Sequence, residues 1–339
     1  MQGKSATETP KKILVTGGLG FIGSHFVELA LSRGYSVINM DKRTYAARKD
    51  LEFEKNPNYA FLKKDISEIT SLPPSIDFIV NFAAESHVEN SLHDNLPFFK
   101  SNVQGVYNLL ELIRKTDRSK RPTLIHASTD EVYGDIAEGS FKENDRLAPS
   151  NPYSATKAAA DQLIIGWWRS HNIPARICRS CNNYGYGQIG TKLIPNTMKR
   201  AHKNLPAQVH GSGTYKREWI WAMDNCEAIL LVLEKGKDRE IYNISSDEEY
   251  TNLQVISKVL KVMGKSDNFT EYVPDRPEQD IRYSIDDNKI RSMGWKPTMT
   301  LDRYLPICKD LNDLRRKNLP PGRKRRLLMA LGLDKIIRV

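Results

Sequence analysis

Apolar residues in the first half of the chain fall into short continuous runs that alternate with segments of helical period. KKILVTGG, SVINMD, NYAFLKKDI, IDFIVNFAA, TLIHAST and IPARICRS have the pattern of strands buried on both faces. Between them, GFIGSHFVELALSRG, a stretch from about Leu96 to Lys115, and PYSATKAAADQLIIGWWRSH read as helices. Gly34 closes the first helix, and the proline of the third sits in a first turn, where it is tolerated. Regular alternation of this kind predicts an α/β fold, a Rossmann-type doubly wound parallel sheet with helices on both faces. After about Ser180 the pattern changes to loops rich in Gly, Asn and Pro, shorter helices and scattered strands such as EIYNIS at 240–245.

The chain therefore divides into a polar tail over 1–11, a sheet domain over 12–180 that also receives segments near 215–245, a smaller lobe over 181–311, and a final extension over 312–339. A length of 339 residues suits this plan. The best apolar runs, LIIGWW at 163–168 and AILLVL at 228–233, are too short for a membrane span. MQGKSATETPKK lacks an apolar signal core, and the cytoplasm is the expected compartment. Four scattered cysteines make no disulfide scaffold, and Cys178 and Cys181 lie in an apolar strand without the further ligands of a zinc site.

Of the net charge of +10, a net of +7 falls on residues 312–339, where nine lysines and arginines face Asp313 and Asp334. Such a basic, partly apolar tail can contact an anionic surface or a partner, or pack on the body as a solvated amphipathic extension, and the second is expected. The body is too weakly basic to suggest nucleic acid.

GGLGFIG at 17–23 follows the first strand and opens the first helix. Its glycines admit a pyrophosphate close to the backbone, beside the free N–H groups of a helix N-terminus. Asp41, ending the second strand, can accept from the ribose hydroxyls of NAD and would repel the 2′-phosphate of NADP, although Lys42 and Arg43 adjoin it. Asp65 stands where an adenine contact is expected, or caps a helix. The candidate NAD contacts are thus Gly17, Gly20, Phe21, Ile22, Gly23, Asp41, Lys42, Asp65, Ile66 and Ala83, together with Tyr153 and Lys157.

Tyr153 and Lys157 are four apart on a helix and share a face, so an ammonium can stabilise a phenolate and bring the phenol toward the range of a general base. The strand TLIHAST ends in Thr129, Asp130 and Glu131. Two adjacent carboxyls in a pocket resist double ionisation, which leaves one proton donor beside one acceptor.

With these features, DKRTYA (41–46), AAESHVENS (83–91), STDEVYGD (128–135), NPYSATKAAAD (151–161), RSCNNYG (179–185), KLIP (192–195) and DRPEQDIRYSID (275–286) resemble the nucleotide-sugar 4,6-dehydratases of the extended short-chain dehydrogenase/reductases. The dTDP-glucose 4,6-dehydratases are the nearest group, and the likeness runs from about Lys12 to Trp295. The resemblance implies oxidation of a sugar C4 hydroxyl with hydride passing to NAD, loss of water across C5 and C6, and hydride return to C6. It implies that Tyr153 is the base at C4 with Lys157 tuning it, Thr129 a hydrogen-bond partner at C4, Glu131 the acceptor of the C5 proton and Asp130 the donor to the departing hydroxyl. Asn182, Lys192, Arg217, Asn252 and Arg276 carry over as binders of the nucleotide diphosphate. His87 fits either a sugar-site lining or a core hydrogen bond. The helix at about 96–115 and the one holding Tyr153 resemble those that pair in family homodimers.

The pattern departs from the family in YGYGQIGTKLIP, where Tyr186, Gly187, Gly190 and Thr191 replace the usual residues, in DRPEQD, in REW for RDW, and in Glu89 for an aspartate. These changes bear on the substrate more than on the reaction. A 4-epimerase needs no acid pair, a UDP-glucuronate decarboxylase lacks the acid at Asp130, and a non-catalytic NAD-binding scaffold would not require the five catalytic residues.

Overall fold

The computed structural model describes residues 10–49, 51–275 and 280–316. Twelve strands are described: β1 (Lys12–Thr16), β2 (Ser36–Asp41), β3 (Tyr59–Lys63), β4 (Phe78–Asn81), β5 (Thr123–Thr129), β6 (Ala175–Ser180), β7 (Asn182–Tyr184), β8 (Ala207–His210), β9 (Lys216–Trp221), β10 (Glu240–Ile244), β11 (Glu249–Thr251) and β12 (Thr270–Val273). Seven of them form one parallel sheet in the order β10-β6-β5-β4-β1-β2-β3. The order reverses at β1, so a crevice opens at the carboxyl ends of the strands, where α/β proteins bind ligands.

Each central strand supplies both cores because successive side chains point to opposite faces. Ile13 and Val15 of β1 pack with Phe26, Val27, Ile229 and Leu233 from the helices Phe21–Ser32 and Ala222–Lys235. Leu14 packs on the other face with Ile79 of β4 and with Leu109, Leu110 and Ile164 from the helices Gly105–Lys115 and Pro152–His171. Asn151 starts the latter helix with a capping box: its side chain accepts from Ser154 N, and Ser154 Oγ accepts from Asn151 N. Pro152 takes the first position, where its missing N–H costs nothing.

The stretch expected as one helix from about Leu96 to Lys115 is helical throughout but interrupted by a π-helical turn over Phe99–Gln104. The turn accompanies an inward-facing Asn102, whose Nδ2 donates to Glu85 O at 3.0 Å and Thr156 Oγ1 at 2.9 Å while its Oδ1 accepts from Glu85 N at 2.9 Å. Hydrophobic period alone does not report such a turn. Beyond the sheet, β7 and β11 flank β9, and β8 pairs β12, so Asn182 and Arg217 are brought over the carboxyl edge.

Candidate active site

The glycine turn is fixed by close packing. Gly17 has φ +71°, and a Cβ there would lie 2.6 Å from Ala83 N. A Cβ on Gly23 would lie 2.3 Å from Gly17 O, so Gly23 is buried beneath the turn and shapes it from behind. Asp41 reaches back across the turn: Leu19 N donates to its Oδ2 at 3.0 Å and Arg43 N to its Oδ1 at 2.7 Å. Gly17, Gly20, Asp41, Lys42, Asp65, Ile66 and Ala83 line one cavity of about 80 Å³. Phe21 and Ile22, next along the turn, line a second of about 340 Å³. A cradle without Cβ atoms, a helix N-terminus and a carboxylate at the end of β2 fit a dinucleotide spanning both cavities.

The cations beside Asp41 are already engaged. Lys42 Nζ donates to Ser101 Oγ at 2.9 Å and pairs with Asp65 at 3.4 Å and Glu85 at 3.6 Å. Arg43 stacks 4.4 Å over Phe61 and pairs with Glu54 at 3.3 Å. Both cations already have carboxylate partners, which weakens their pull on a 2′-phosphate and favours NAD over NADP. Asp65 caps a turn rather than a helix, accepting from Ser67 N and Ser67 Oγ. Burial acts against its charge, but those donors and Lys42 hold the carboxyl below its ordinary range.

At the end of β5, Thr129, Asp130 and Glu131 enter a single 3-10 turn, Asp130–Tyr133, capped by the Thr129 side chain. Thr129, Glu131 and Tyr153 line the larger cavity. Asp130 and Lys157 are buried outside its lining, at 1 % and 3 % exposure. Asp130 Oδ1 accepts from Thr129 Oγ1 at 3.1 Å, and its Oδ2 has no hydrogen-bond partner among the described residues. Burial, then Glu131, then Glu218 push Asp130 well above the usual carboxyl range. Glu131 is also raised by burial, but Arg217, Lys192 and a hydrogen bond from Asn151 oppose the shift. Arg217 opposes the shift of both and the Thr129 bond that of Asp130, so the pair is asymmetric in its surroundings: Lys192 and Asn151 face Glu131, whereas Glu131 and Glu218 face Asp130.

The hydrogen bonds of Lys157 among the described residues lie at the strand end and not at the Tyr153 hydroxyl. Its Nζ donates to Ala127 O at 2.7 Å and lies 3.2 Å from His126 Nε2, while burial lowers its pKa to about 8. The Tyr153 hydroxyl is raised, not lowered, by burial and by the charges of Glu131 and Asp130, with only a bond from Thr129 opposing. The physical reason is that two carboxyls face the phenol while the ammonium is turned toward the carbonyl at the strand end.

Asn182, Lys192, Arg217, Asn252 and His87 all line the larger cavity. His87 Nε2 lies 3.2 Å from Thr191 Oγ1, so it belongs to the lining and not to the core. Lys192 Nζ donates to Ser86 O at 3.2 Å. Arg217 is buried, donates to Asp280 O at 2.9 Å and stacks 4.2 Å over Tyr283. Arg276 and the basic tail lie outside the described residues. Asn151, Gln208, His210, Tyr215 and Tyr283 are among the further lining residues that were not expected there. They come from separate segments that only the small sheets bring together; Asn151, directly before Pro152, alone carried a local signal as a helix cap.

A parallel sheet with a glycine turn at its binding edge and a tyrosine–lysine helix beside a strand-end acid pair defines a dehydrogenase-type α/β protein. Residues 14–307 match the model of the family described as GDP-mannose 4,6 dehydratase. The chain is 43% identical over 304 residues to the low-salt glycan biosynthesis protein Agl12 of Haloferax volcanii, covering 88% of this chain and 97% of that protein. It is 38% identical over 321 residues to the dTDP-glucose 4,6-dehydratase of Haemophilus influenzae, covering 86% and 95%. The crystal structure of the dTDP-glucose 4,6-dehydratase of Streptomyces venezuelae with NAD and TYD bound superposes with a TM-score of 0.84 at 35% identity, covering 91% of this chain and 99% of that one. The chain belongs to the GDP-mannose 4,6-dehydratase family, within the nucleotide-sugar 4,6-dehydratases of the extended short-chain dehydrogenase/reductases.

Proposed function

We propose that the protein is an NAD-dependent nucleotide-hexose 4,6-dehydratase, converting a substrate such as dTDP-, UDP- or GDP-glucose or UDP-GlcNAc to its 4-keto-6-deoxy product. The observation that carries this reading is the asymmetric acid pair at the end of β5, beside Tyr153 and against a cavity large enough for a hexose. Gly17, Gly20, Phe21, Ile22, Asp41, Lys42, Asp65, Ile66 and Ala83 hold the dinucleotide. Bound NAD supplies a positive charge and a two-electron acceptor at C4, and returns the electron pair at C6.

Tyr153 accepts the C4 hydroxyl proton while Thr129 holds that oxygen. With a ketone at C4, the C5 proton becomes acidic and passes to Glu131. Asp130 gives its proton to the C6 oxygen, which leaves as water. The two carboxyls thereby exchange protonation states, so the elimination leaves their summed charge unchanged. Glu131 then returns its proton to C5 as C6 is reduced, and the proton that Tyr153 took from the C4 hydroxyl goes to solvent as Asp130 regains one, which closes the cycle. Lys157 holds the ribose side of the dinucleotide, and Asn182, Lys192, Arg217 and Asn252 bind the diphosphate and nucleoside, with Arg276 assigned to the same group from sequence alone.

The reading includes a homodimer: Leu96, Phe99 and Tyr107, on the helical stretch expected to pair, are 55%, 53% and 46% exposed, which leaves apolar surface to cover. It also includes a cytoplasmic site of action, supported by four free buried cysteines. No helix of the described residues is long and apolar enough to cross a membrane. The likeness to Agl12 suggests that the product is a sugar for glycan assembly.

The test is mass spectrometry of reactions with several nucleotide hexoses. A product lighter by one water, with no net consumption of NAD, is expected from one of them. An isomer of unchanged mass would make the protein an epimerase, and tight NAD binding without turnover would make it a binding protein.

A further inference from the structure

A third carboxylate belongs to the same cluster. Glu218, in the middle of β9, is 8 % exposed and has no cationic partner within ion-pair distance among the described residues. Ser284 Oγ donates to its Oε1 at 2.7 Å, and Ile285 N donates to its Oε2 at 3.3 Å, where Ser245 Oγ also donates. Ser140, 2.7 Å from Ser284 Oγ, completes the outer contact.

The strands put this group behind Asp130. In the sheet, β5, β6 and β10 lie side by side with Thr129 opposite Ser180 and Ser180 opposite Ile244. The residues that follow, Asp130, Cys181 and Ser245, therefore form a row at the carboxyl edge, and Glu218 is bonded to the last of them. The Cys181 thiol is raised first by burial, then by the charges of Glu218 and Asp130, both of which act on it.

Burial raises Glu218, while its three donors favour the ionised form. Both oxygens accept hydrogen bonds, and one of the donors, Ile285 N, cannot accept a proton in return. We propose that Glu218 is a positioning residue for the elimination step: a fixed buried anion behind Asp130 that keeps Asp130 in its proton-donating form until the C6 hydroxyl is in place. The groups facing Asp130 are Glu131 on its own turn, Glu218 and Arg217 from β9, Tyr153 from the helix Pro152–His171, and Cys181 after β6. Of the anions, Glu131 changes charge during the proposed reaction, whereas Glu218 is not in the lining of the larger cavity and takes no part in the proposed proton transfers.

The inference rests on the dehydratase reading, and the wild-type enzyme separates the two. If no nucleotide hexose loses water, the reading of the site fails. If the wild type dehydrates one, Glu218→Gln tests the inference, since the amide oxygen still accepts hydrogen bonds but the charge is gone. A group that donates its proton is lost to catalysis as pH rises through its pKa, and removal of a neighbouring anion lowers that pKa. The high-pH limb of water loss in Glu218→Gln is therefore expected to move down by roughly one pH unit, a tenfold loss of rate on that limb. Formation of reduced nicotinamide in a single turnover should change less than twofold. Glu218→Asp, the residue the family pattern carries there, should restore the limb. Ser284→Ala, which weakens the ionised form without removing the carboxyl, should shift the limb in the same direction by less, and keeps the test available if Glu218→Gln does not fold. A limb that stays in place in both Glu218→Gln and Ser284→Ala, with only the melting temperature lowered, would make Glu218 a strut and overturn the proposal.

Discussion

Two sets of acids stand at the carboxyl edge of one sheet and are treated in opposite ways. Asp41 and Asp65, at the ends of β2 and β3, accept backbone and hydroxyl donors, and Asp65 has Lys42 3.4 Å away. At the end of β5, Asp130 is buried and Glu131 half-buried, with a third carboxyl acting on Asp130, and one Asp130 oxygen has no hydrogen-bond partner among the described residues. Donors surround the first set, and those on Asp65 hold its carboxyl below the ordinary range. Carboxyls and burial surround the second and raise both of its members, the environment in which groups that move protons are found. In the proposed reading the same strand-end position serves affinity or chemistry according to whether donors or carboxyls surround it.

The comparison can be broken most severely at Tyr153, the group the acid pair faces. Tyr153→Phe is expected to reduce turnover by about three orders of magnitude while NAD binding stays within a few-fold, measured by turnover assays and titration calorimetry. Loss of NAD binding in equal measure would return Tyr153 to the binding set.

A smaller effect is expected at the glycine turn. Gly17→Val must place a Cβ against Ala83 N at a positive φ, so NAD affinity should fall at least about tenfold and the melting temperature should drop. Unchanged affinity would separate the turn from the dinucleotide.

The least effect, and the sharpest contrast, lies in stability against pH. Asp130 is raised in the fold, so its contribution is present below the ordinary carboxyl range and is lost as pH rises toward its folded value. Asp130→Asn should therefore melt about a few degrees higher than wild type near neutral pH, a gain that shrinks as pH falls through about 4. Asp65 is lowered, so its contribution is present above its unfolded value and is lost as pH falls through the folded one. Asp65→Asn should melt slightly lower at neutral pH and match wild type in acid. Differential scanning calorimetry over pH checks both, and curves of the same sign would remove the distinction.

Much of this was legible before any coordinates. The alternation of apolar runs fixes the parallel sheet because a strand buried on both faces must be apolar on both, as β1 is. The glycine turn, Asp41, and the tyrosine–lysine spacing depend on local chemistry and were found locally. Three features were not visible. The π turn that accompanies Asn102 depends on Glu85 and Thr156, distant in sequence. The setting of Lys157 depends on His126 and Ala127 O, so a spacing that aligns two side chains on one face did not decide which neighbour the ammonium takes. Glu218 and the lining residues Gln208, His210, Tyr215 and Tyr283 come from short pieces of chain that the small sheets assemble, and no period marks them.

The central claim is that Asp130 and Glu131 divide the elimination between donor and acceptor. Rapid mixing of Asp130→Asn with NAD and the nucleotide hexose that the wild type dehydrates measures it directly. Reduced nicotinamide should form at close to the wild-type rate and then persist, while loss of water slows by about two to four orders of magnitude. Equal slowing of both steps, or water loss at the wild-type rate, would contradict the account.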